Sequence, residues 1–293
     1  MADLLLEPEF LRKLDGLTVT SRRIFTGKIK GERRSKKRGL SVEFADYRDY
    51  VYGDDPRFVD WNVFGRLDRL FLKLFMEEED LHIYILVDTS GSMDFGDPKK
   101  IDYARKVAAA IGYIGLVNMD RVSVASFSTR IRSVFPLTRG KSQVWRMFDF
   151  LQSAECGGET SLTDSCRDFV LTNRRKGVAV LISDFFDRGG CDDALKSFMH
   201  RRFDLYAVQV LAKEEIDPPH IGHLKLVDSE VDDTVEITVN ESLLKAYRES
   251  LRAFCGGIKK FCTSRGATYL SATTDVPFDS LVLEYLRKGG LLK

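Results

Sequence analysis

The stretch Leu81-His82-Ile83-Tyr84-Ile85-Leu86-Val87-Asp88-Thr89-Ser90-Gly91-Ser92 decides the fold of this chain. It is a short apolar run with several β-branched residues, and it ends abruptly in an aspartate. Such runs are typical of a strand buried on both faces of a sheet. Ligands of open α/β sheets bind beyond the carboxyl ends of strands. Asp88, Ser90 and Ser92 lie at that end of the predicted strand. One carboxylate and two hydroxyls suit a hard cation such as Mg²⁺.

The chain after residue 81 alternates strands with helices, which predicts an α/β fold with a doubly wound, mostly parallel sheet. We predict strands at 81–88, 121–128, 131–137, 177–184, 205–211 and 268–272, with shorter strands at 224–227 and 234–239. Helices are predicted at 97–115, 141–153, 162–174, 192–202, 243–264 and 278–287. The first of these is expected to begin at Asp97-Pro98, with the aspartate as N-cap and the proline at the first helical position.

Residues 1–80 differ in composition, and we predict a separate N-terminal segment there, a β-rich appendage to a main domain at 81–293. A short helix is expected within residues 1–15, with Pro8 limiting its length. Thr18 to Thr20 is expected to form a strand. Residues 39–80 are dense in aromatic and charged side chains, and the mixture of arginines and aspartates there indicates structural ion pairs rather than catalysis.

A basic run lies between positions 21 and 38, with nine lysines and arginines against one glutamate. Such a run can bind anionic lipid, nucleic acid or an acidic partner. It contains few aromatic side chains that could stack on bases, which favours a solvated surface segment instead. The whole chain has 45 basic and 44 acidic residues, a net charge of +1, so its overall charge does not indicate a nucleic-acid or membrane ligand.

The sequence also indicates where the protein resides. Its apolar runs are well under the ~20 residues of a membrane-spanning helix. The first 12 residues lack the basic start and small-residue cleavage site of a signal peptide. The five cysteines, an odd number without a CxxC pair, indicate free thiols in a reducing compartment and no zinc site. We therefore expect a cytoplasmic protein with no integral membrane segment.

Two of the predicted strands end in an aspartate, Asp88 and Asp184. If these strands are neighbours at the point where the helices change face, the two carboxylates lie side by side. The loop 157–160 can then bring the hydroxyl of Thr160 over the same crevice. The predicted metal site is the set Asp88, Ser90, Ser92, Thr160 and Asp184. The alternative, in which the three hydroxyls only cap turns and helices, explains less because it leaves their joint occurrence with two strand-ending aspartates to chance.

These residues resemble a known pattern. Asp88-Thr89-Ser90-Gly91-Ser92, Thr160 and Asp184 match the D-x-S-x-S…T…D motif of von Willebrand factor A domains, whose metal ion-dependent adhesion site holds Mg²⁺. The resemblance covers about residues 81–275, and it implies Mg²⁺, with Mn²⁺ as a substitute, on those five residues. One departure is Phe185, where many of these domains have glycine after the last aspartate.

A second resemblance lies before the first strand of the sheet. The stretches Gly39-Leu40-Ser41-Val42-Glu43-Phe44, Tyr47-Arg48-Asp49-Tyr50 and Gly53-Asp54-Asp55-Pro56-Arg57, with Asp60-Trp61, closely resemble the signature of the bacterial DUF58 family. Many members of that family begin with two membrane helices, and this chain resembles the shorter, soluble form. The resemblance implies a non-enzymatic binding module, and such proteins are often encoded near MoxR-type AAA+ ATPases.

The function expected from both resemblances is metal-dependent protein binding. A carboxylate from a protein partner would complete the shell of the bound Mg²⁺, and the protein would act as an adaptor that delivers a target to a MoxR-type AAA+ ATPase. Nucleic acid is not expected as a partner. A third possibility, an anionic-lipid or nucleic-acid binder acting through residues 21–38, predicts steep salt dependence of binding.

An enzyme is the competing class. A strand-ending aspartate with Mg²⁺ also resembles haloacid dehalogenase-type phosphatases, so a Mg²⁺-dependent phosphohydrolase using Asp88 is the alternative. Those enzymes carry D-x-D, whereas position 90 is a serine here, so the group for proton transfer is missing. A serine nucleophile is not indicated either, because Gly-x-Ser-x-Gly is absent around Ser90 and Ser92. The four histidines show no spacing typical of a catalytic triad.

Overall fold

The structure is a computed structural model of the chain, and it describes residues 5–21, 44–75, 81–218, 222–227 and 234–293. The chain forms two compact units, one made of Met1–Arg23 with Leu81–Lys293 and the other of Ile24–Asp80. The first residues of the predicted segment 1–80 therefore belong with the α/β unit. The basic run from Arg22 onward and residues 39–43 of the DUF58 signature lie outside the described residues.

The elements are numbered along the chain. The strands are β1 (Phe44–Asp49), β2 (Phe71–Phe75), β3 (His82–Asp88), β4 (Arg121–Phe127), β5 (Ile131–Thr138), β6 (Val178–Ser183), β7 (Asp204–Leu211), β8 (Gly222–Val227), β9 (Thr234–Val239) and β10 (Thr268–Thr273). The helices are α1 (Pro8–Leu14), α2 (Trp61–Leu67), α3 (Lys100–Val117), α4 (Val144–Gln152), α5 (Leu162–Thr172), α6 (Asp192–His200), α7 (Lys213–Ile216), α8 (Glu241–Ser264), α9 (Phe278–Ser280) and α10 (Leu286–Lys288). A π-helical turn at Leu281–Tyr285 joins the last two helices.

The larger unit is built on a six-stranded sheet in the order β10-β7-β6-β3-β4-β5. Neighbouring strands are parallel, except that β5 runs antiparallel to β4 at one edge. The predicted apolar strand, β3, lies in the interior of the sheet and is buried from Ile83 to Asp88. The predicted fold class, α/β with a mostly parallel, doubly wound sheet, is confirmed.

Helices cover both faces of this sheet. Side chains of β3 alternate between two hydrophobic cores, because successive residues of a strand point to opposite faces. Ile83, Ile85 and Val87 join the core formed with α1, α3, α4 and the C-terminal helices. Tyr84 and Leu86 join the core formed with α5, α6 and α8. The helix that follows β3 and the helix that follows β6 thus pack on opposite faces, so these two adjacent strands form the switch point of the sheet.

Helix α3 begins later than predicted. We expected Asp97-Pro98 to begin it, but the first helical residue is Lys100 and the N-cap is Lys99, which has extended backbone angles of φ −59° and ψ 142°. The backbone N–H of Lys100 donates to the Phe95 carbonyl over 3.0 Å and closes a turn before the helix. Asp97 and Pro98 lie within that turn, so the predicted N-cap and first helical residue were each wrong by two residues.

The chain termini and the short strands complete the larger unit. The predicted strand at 18–20 is reduced to a single bridge between Val19 and Leu292. The two short strands predicted after residue 213 are confirmed as an antiparallel hairpin of β8 and β9. In the parts of the chain that the structure describes, no helix combines the length and apolarity needed to cross a membrane.

The smaller unit contains the antiparallel pair β1–β2 and helix α2, in line with the predicted β-rich appendage. Asp60 connects β1, β2 and helix α2 of this unit. Its carboxylate caps α2 by accepting from the backbone N–H of Asn62 over 3.0 Å, and it accepts from the Tyr47 hydroxyl over 2.8 Å. Lys73 of β2 lies 3.0 Å from the same carboxylate. The arginines Arg48 and Arg57 pair separately with Asp54 and Asp55, so the predicted ion pairs are present as local contacts.

Candidate metal centre

The two strand-ending aspartates lie at the same edge of the sheet. Strands β3 and β6 are adjacent and parallel, with Val87 paired to Ile182, so both chains leave the sheet at its carboxyl edge. Asp88 and Asp184 are each fully buried, at 0% exposure. The arrangement on which the predicted site depends, two carboxylates at the ends of neighbouring strands, is present.

Asp88 is fixed by hydrogen bonds to both of its oxygens. Its Oδ1 accepts from the backbone N–H of Ser90 over 3.0 Å, and its Oδ2 accepts from the Ser183 hydroxyl over 2.6 Å. The hydroxyls of Ser90 and Ser92 lie 3.1 Å apart, because a 3₁₀ turn at Gly91–Asp94 folds the chain back immediately after Ser90. The carboxylate and two hydroxyls predicted from the first stretch are thus gathered in one place.

The loop that carries Thr160 packs on this turn through the main chain. Gly157 N donates to the Thr89 carbonyl over 2.9 Å, and Gly91 N donates to the Gly158 carbonyl over 2.9 Å. Gly158 has a φ of 80°, a left-handed conformation that glycine adopts without strain. Thr160 is half-buried and lies two residues before helix α5. The loop is therefore docked on the turn that carries Ser90 and Ser92, and the position of the Thr160 hydroxyl over the site stays a prediction.

Arg132 of β5 holds the same loop from the other side. Its Nε donates to the Ser128 hydroxyl over 2.8 Å, and its Nη1 donates to the Glu155 carbonyl over 3.2 Å. Its Nη2 donates to the Gly157 carbonyl. The fork geometry of a guanidinium suits such multiple contacts. The sequence did not reveal this role, since Arg132 stands among other arginines on a strand with exposed positions.

The carboxylate of Asp184 already has two donors. Its Oδ1 accepts from the backbone N–H of Phe186 over 3.0 Å, and its Oδ2 accepts from the Lys100 ammonium over 2.7 Å. Phe185, which lies between Asp184 and Phe186 in the chain, is buried. Its φ is 63°, a left-handed conformation that is unusual for a residue with a bulky side chain. This explains in physical terms why glycine would be the ordinary choice at position 185.

Lys100 is a charged residue of this site that the sequence did not predict. It is fully buried, and its ammonium also lies 2.5 Å from the Glu215 carboxylate. Burial alone would lower the pKa of Lys100, but the charges of Asp184 and Glu215 outweigh it and raise that pKa. The side chain is therefore an ammonium, held between two carboxylates.

The acidic side chains at the site outnumber the basic ones. Burial, together with the nearby charge of Asp184, raises the pKa of Asp88 from 3.8 to about 7. Burial likewise raises the pKa of Glu215, although Lys100 opposes that rise. When ionised, Asp88, Asp184 and Glu215 carry three negative charges against the single positive charge of Lys100. A divalent cation would match the remaining two charges.

The donor set fits Mg²⁺ or Mn²⁺ and does not fit zinc. Among the described residues no group of three or more His, Cys, Asp or Glu side chains gathers where it could hold a metal ion. A metal at this edge must therefore draw on the hydroxyls of Ser90, Ser92 and Thr160 beside the carboxylate of Asp88. Hydroxyl and carboxylate oxygens are the ligands of hard cations, whereas zinc in proteins takes sulfur and imidazole nitrogen as its usual ligands.

One residue that the competing phosphohydrolase requires is missing from this sequence. Position 90, where those enzymes carry the second aspartate, is a buried serine. The five cysteines are all free thiols. Burial raises the pKa of Cys166, which lies in the core below α5, and a buried thiol of raised pKa is a poor nucleophile.

Comparisons with known proteins place the chain in a family. The family model described as "Protein of unknown function DUF58" matches residues 46–253. Uncharacterized proteins of Mycobacterium tuberculosis and Mycobacterium bovis are 24% identical over 293 residues, which cover 97% of this chain and 92% of each relative.

Two solved structures are similar to this chain at low sequence identity. BatB from Bacteroides thetaiotaomicron is 14% identical with a TM-score of 0.45, covering 71% of this chain and 98% of that protein. The manganese-loaded TRAP protein of Plasmodium vivax is 16% identical with a TM-score of 0.41, covering 73% of this chain and 75% of that protein. Because the DUF58 model matches well over half of the sequence, this chain belongs to the DUF58 family.

Proposed function

We propose that this protein is a non-enzymatic, metal-dependent protein-binding module. Asp88, Ser90, Ser92 and Thr160 hold Mg²⁺, with Asp184 as the second carboxylate of the site, and a carboxylate of a protein partner completes the shell. The observation that carries the proposal is the convergence of a fully buried Asp88 with the hydroxyls of Ser90 and Ser92, 3.1 Å apart, at the carboxyl edge of β3.

The residues of the chain have separate tasks in this function. Asp88 supplies the charged ligand, and Ser183 and the backbone of Ser90 fix its orientation. Ser90 and Ser92 supply neutral oxygens, so the set brings little charge of its own. Bound Mg²⁺ supplies an electrophilic centre that accepts a further oxygen ligand. A partner carboxylate is the strongest oxygen ligand that a protein can offer at neutral pH.

The partner follows from the family resemblance. We propose that the protein works as an adaptor for a MoxR-type AAA+ ATPase and that it presents a target protein to that ATPase. The metal site binds one of the two through a carboxylate. A cytoplasmic location, as expected from the sequence, would place it with such an ATPase.

The first experiment is thermal unfolding of the protein in EDTA and in Mg²⁺ or Mn²⁺. A ligand that binds only the folded state stabilises it by about 2.7 kcal/mol at a hundredfold excess over its Kd. We expect the metal to raise the midpoint in the wild type and not in Asp88→Asn. The control is Asp193→Asn, which removes an equal charge from an exposed aspartate on α6, paired with Lys196. An equal rise in Asp88→Asn would contradict the proposal.

The second experiment measures partner binding. Purified MoxR-type ATPase is passed over the immobilised protein in Mg²⁺ and in EDTA, with Asp88→Asn and Asp193→Asn in parallel. Retention that requires Mg²⁺ and is lost only in Asp88→Asn is the expected result. Retention that persists in EDTA would separate the ATPase from the metal site and contradict this part of the proposal.

A further inference from the structure

A buried ammonium lies beside the proposed metal site. Lys100 has no exposed surface, and its Nζ is 2.7 Å from Asp184 Oδ2 and 2.5 Å from Glu215 Oε1. The rings of Phe95 and Phe186 lie 5.9 Å and 5.4 Å from the same nitrogen. Lysine is rarely buried completely, and a buried charge must be paired to be tolerated. The chain thus maintains a positive charge at the place where a cation is proposed to bind.

We propose that Lys100 sets the affinity of this site for its metal. Its ammonium offsets the charge of Asp184 and repels a divalent cation, so that the chain alone binds Mg²⁺ weakly and a negatively charged ligand from a partner is needed for tight binding. This inference rests on the proposed function, and it adds a reason why metal and partner should bind together.

The contacts of the two carboxylates support this role. Each oxygen of Asp184 already accepts one hydrogen bond, from Phe186 N and from Lys100. The two oxygens of Glu215 are likewise engaged, one by Lys100 and the other by the backbone N–H of Ala212 over 2.8 Å. Asp184 and Glu215 together therefore present one net negative charge to a metal instead of two.

The magnitude of the effect follows from the burial of the charges. Lys100, Asp184 and Asp88 are all inaccessible to solvent, so water screens their interactions with a bound cation only weakly. Removal of one full positive charge from such a group should tighten binding of a divalent cation by about tenfold or more. Removal of one negative charge should weaken binding by a similar factor.

The test is the affinity of the protein for Mg²⁺ alone, measured by isothermal titration calorimetry on the full chain. We expect Lys100→Met to bind Mg²⁺ at least about tenfold more tightly than the wild type. The double variant Lys100→Met/Glu215→Gln restores the net charge of the group without changing a proposed metal ligand, and we expect its affinity to return to within about threefold of the wild type. Unchanged or weaker binding in Lys100→Met would overturn the role of Lys100.

A second variant guards against failure of Lys100→Met to fold, since that change leaves two buried carboxylates without their cation. Glu215→Gln keeps the ammonium and removes one carboxylate, so we expect about tenfold weaker Mg²⁺ binding. Glu249→Gln, an exposed position on α8, is its matched control and should leave the affinity unchanged. Equal affinities in these two variants would overturn the inference.

Asp88→Asn separates this inference from the proposed function. Mg²⁺ binding that is lost in Asp88→Asn but insensitive to Lys100→Met and Glu215→Gln would overturn only the role of Lys100. Mg²⁺ binding that survives Asp88→Asn would overturn the metal site itself, and the inference with it.

Discussion

Arg132→Ala should loosen the loop that carries Thr160 while leaving the protein folded. The guanidinium donates to the Ser128 hydroxyl over 2.8 Å, to the Glu155 carbonyl over 3.2 Å and to the Gly157 carbonyl. The backbone N–H of Gly157 in turn donates to the carbonyl of Thr89, next to the serines of the proposed metal site. Removal of the side chain therefore releases one side of the loop and leaves its main-chain contacts with the other side.

The size of the effect can be worked from these three bonds. A buried hydrogen bond from a charged group contributes about 1.5–3 kcal/mol, but Arg132 is exposed, so water replaces much of that. A loss of about 1–2 kcal/mol overall is reasonable, which corresponds to a fall of about 2–8 °C in the thermal midpoint. Residues that orient metal ligands typically change affinity by about 10–100-fold. The Mg²⁺-induced rise in midpoint should therefore shrink much more than the midpoint in EDTA.

Arg130→Ala is the matched control for this prediction. It removes the same side chain two residues away, where the guanidinium is 79% exposed and lies 3.9 Å from Asp168. Both variants are melted in EDTA and over a series of Mg²⁺ concentrations, and the apparent Kd is taken from the midpoints. The reasoning is refuted if Arg132→Ala and Arg130→Ala bind Mg²⁺ with the same affinity.

Two further predictions concern stability. In EDTA the free energy of unfolding should fall as the pH rises from about 4 to 7, by at most about 1.4 kcal/mol per pH unit. The reason is that folding raises the pKa of Asp88 from 3.8 to about 7. Between these two pH values the folded state holds a proton that the unfolded chain releases. Urea unfolding as a function of pH checks this, and a slope that persists in Asp88→Asn would contradict it. Gly177→Ala should destabilise the protein by about 1–3 kcal/mol or more, since its Cβ would lie 2.1 Å from the backbone oxygen of His82. Gly256→Ala, with no atom near its Cβ on an exposed stretch of α8, should instead stabilise it by about 0.5–1 kcal/mol; equal midpoints for these two variants would refute the packing argument.

The main sheet was predictable because its signals are local. The apolar run that ends at Asp88 and the similar run that ends at Asp184 each mark a buried strand, and the alternation of strands with helices limits how these strands can be arranged. The predicted metal site assumed that β3 and β6 are neighbours, and the strand order of the sheet shows that they are. The hydroxyls of Ser90 and Ser92 lie within four residues of Asp88, so their place was predictable too.

Lys100 was not predictable, because its partners are distant in sequence. Asp184 is 84 residues away and Glu215 is 115 residues away, so only the folded chain brings them together. In the sequence, Lys99-Lys100 resembles a solvated helix end. Lys99 conforms to that expectation, since it is about half exposed and pairs with Asp94 on the surface. Neighbouring identical residues thus have opposite environments, which no local pattern distinguishes.

The predicted division at residue 80 differs from the two compact units of the chain at its first residues, for a similar reason. Composition separates residues 1–80 from the rest, but Phe10 and Leu14 of α1 are buried in the core that contains α3. The Tyr113 hydroxyl of α3 donates to Asp15 over 2.6 Å, which fixes the end of α1. A short amphipathic helix does not indicate which distant surface covers its apolar side, so its assignment required the structure.

The hydrogen bond that Ser21 makes places this residue away from the proposed metal site. Its hydroxyl donates over 2.9 Å to Asp204, the first residue of β7, at the amino edge of the sheet. A strand of this length extends about 25 Å, so Ser21 lies at the end of the sheet remote from Ser90 and Ser92 of the proposed metal site. A fluorophore or affinity tag introduced at position 21 would report on that end without obstructing a partner at the other. The chain can therefore be immobilised by one end of its sheet while the opposite end stays open to titration.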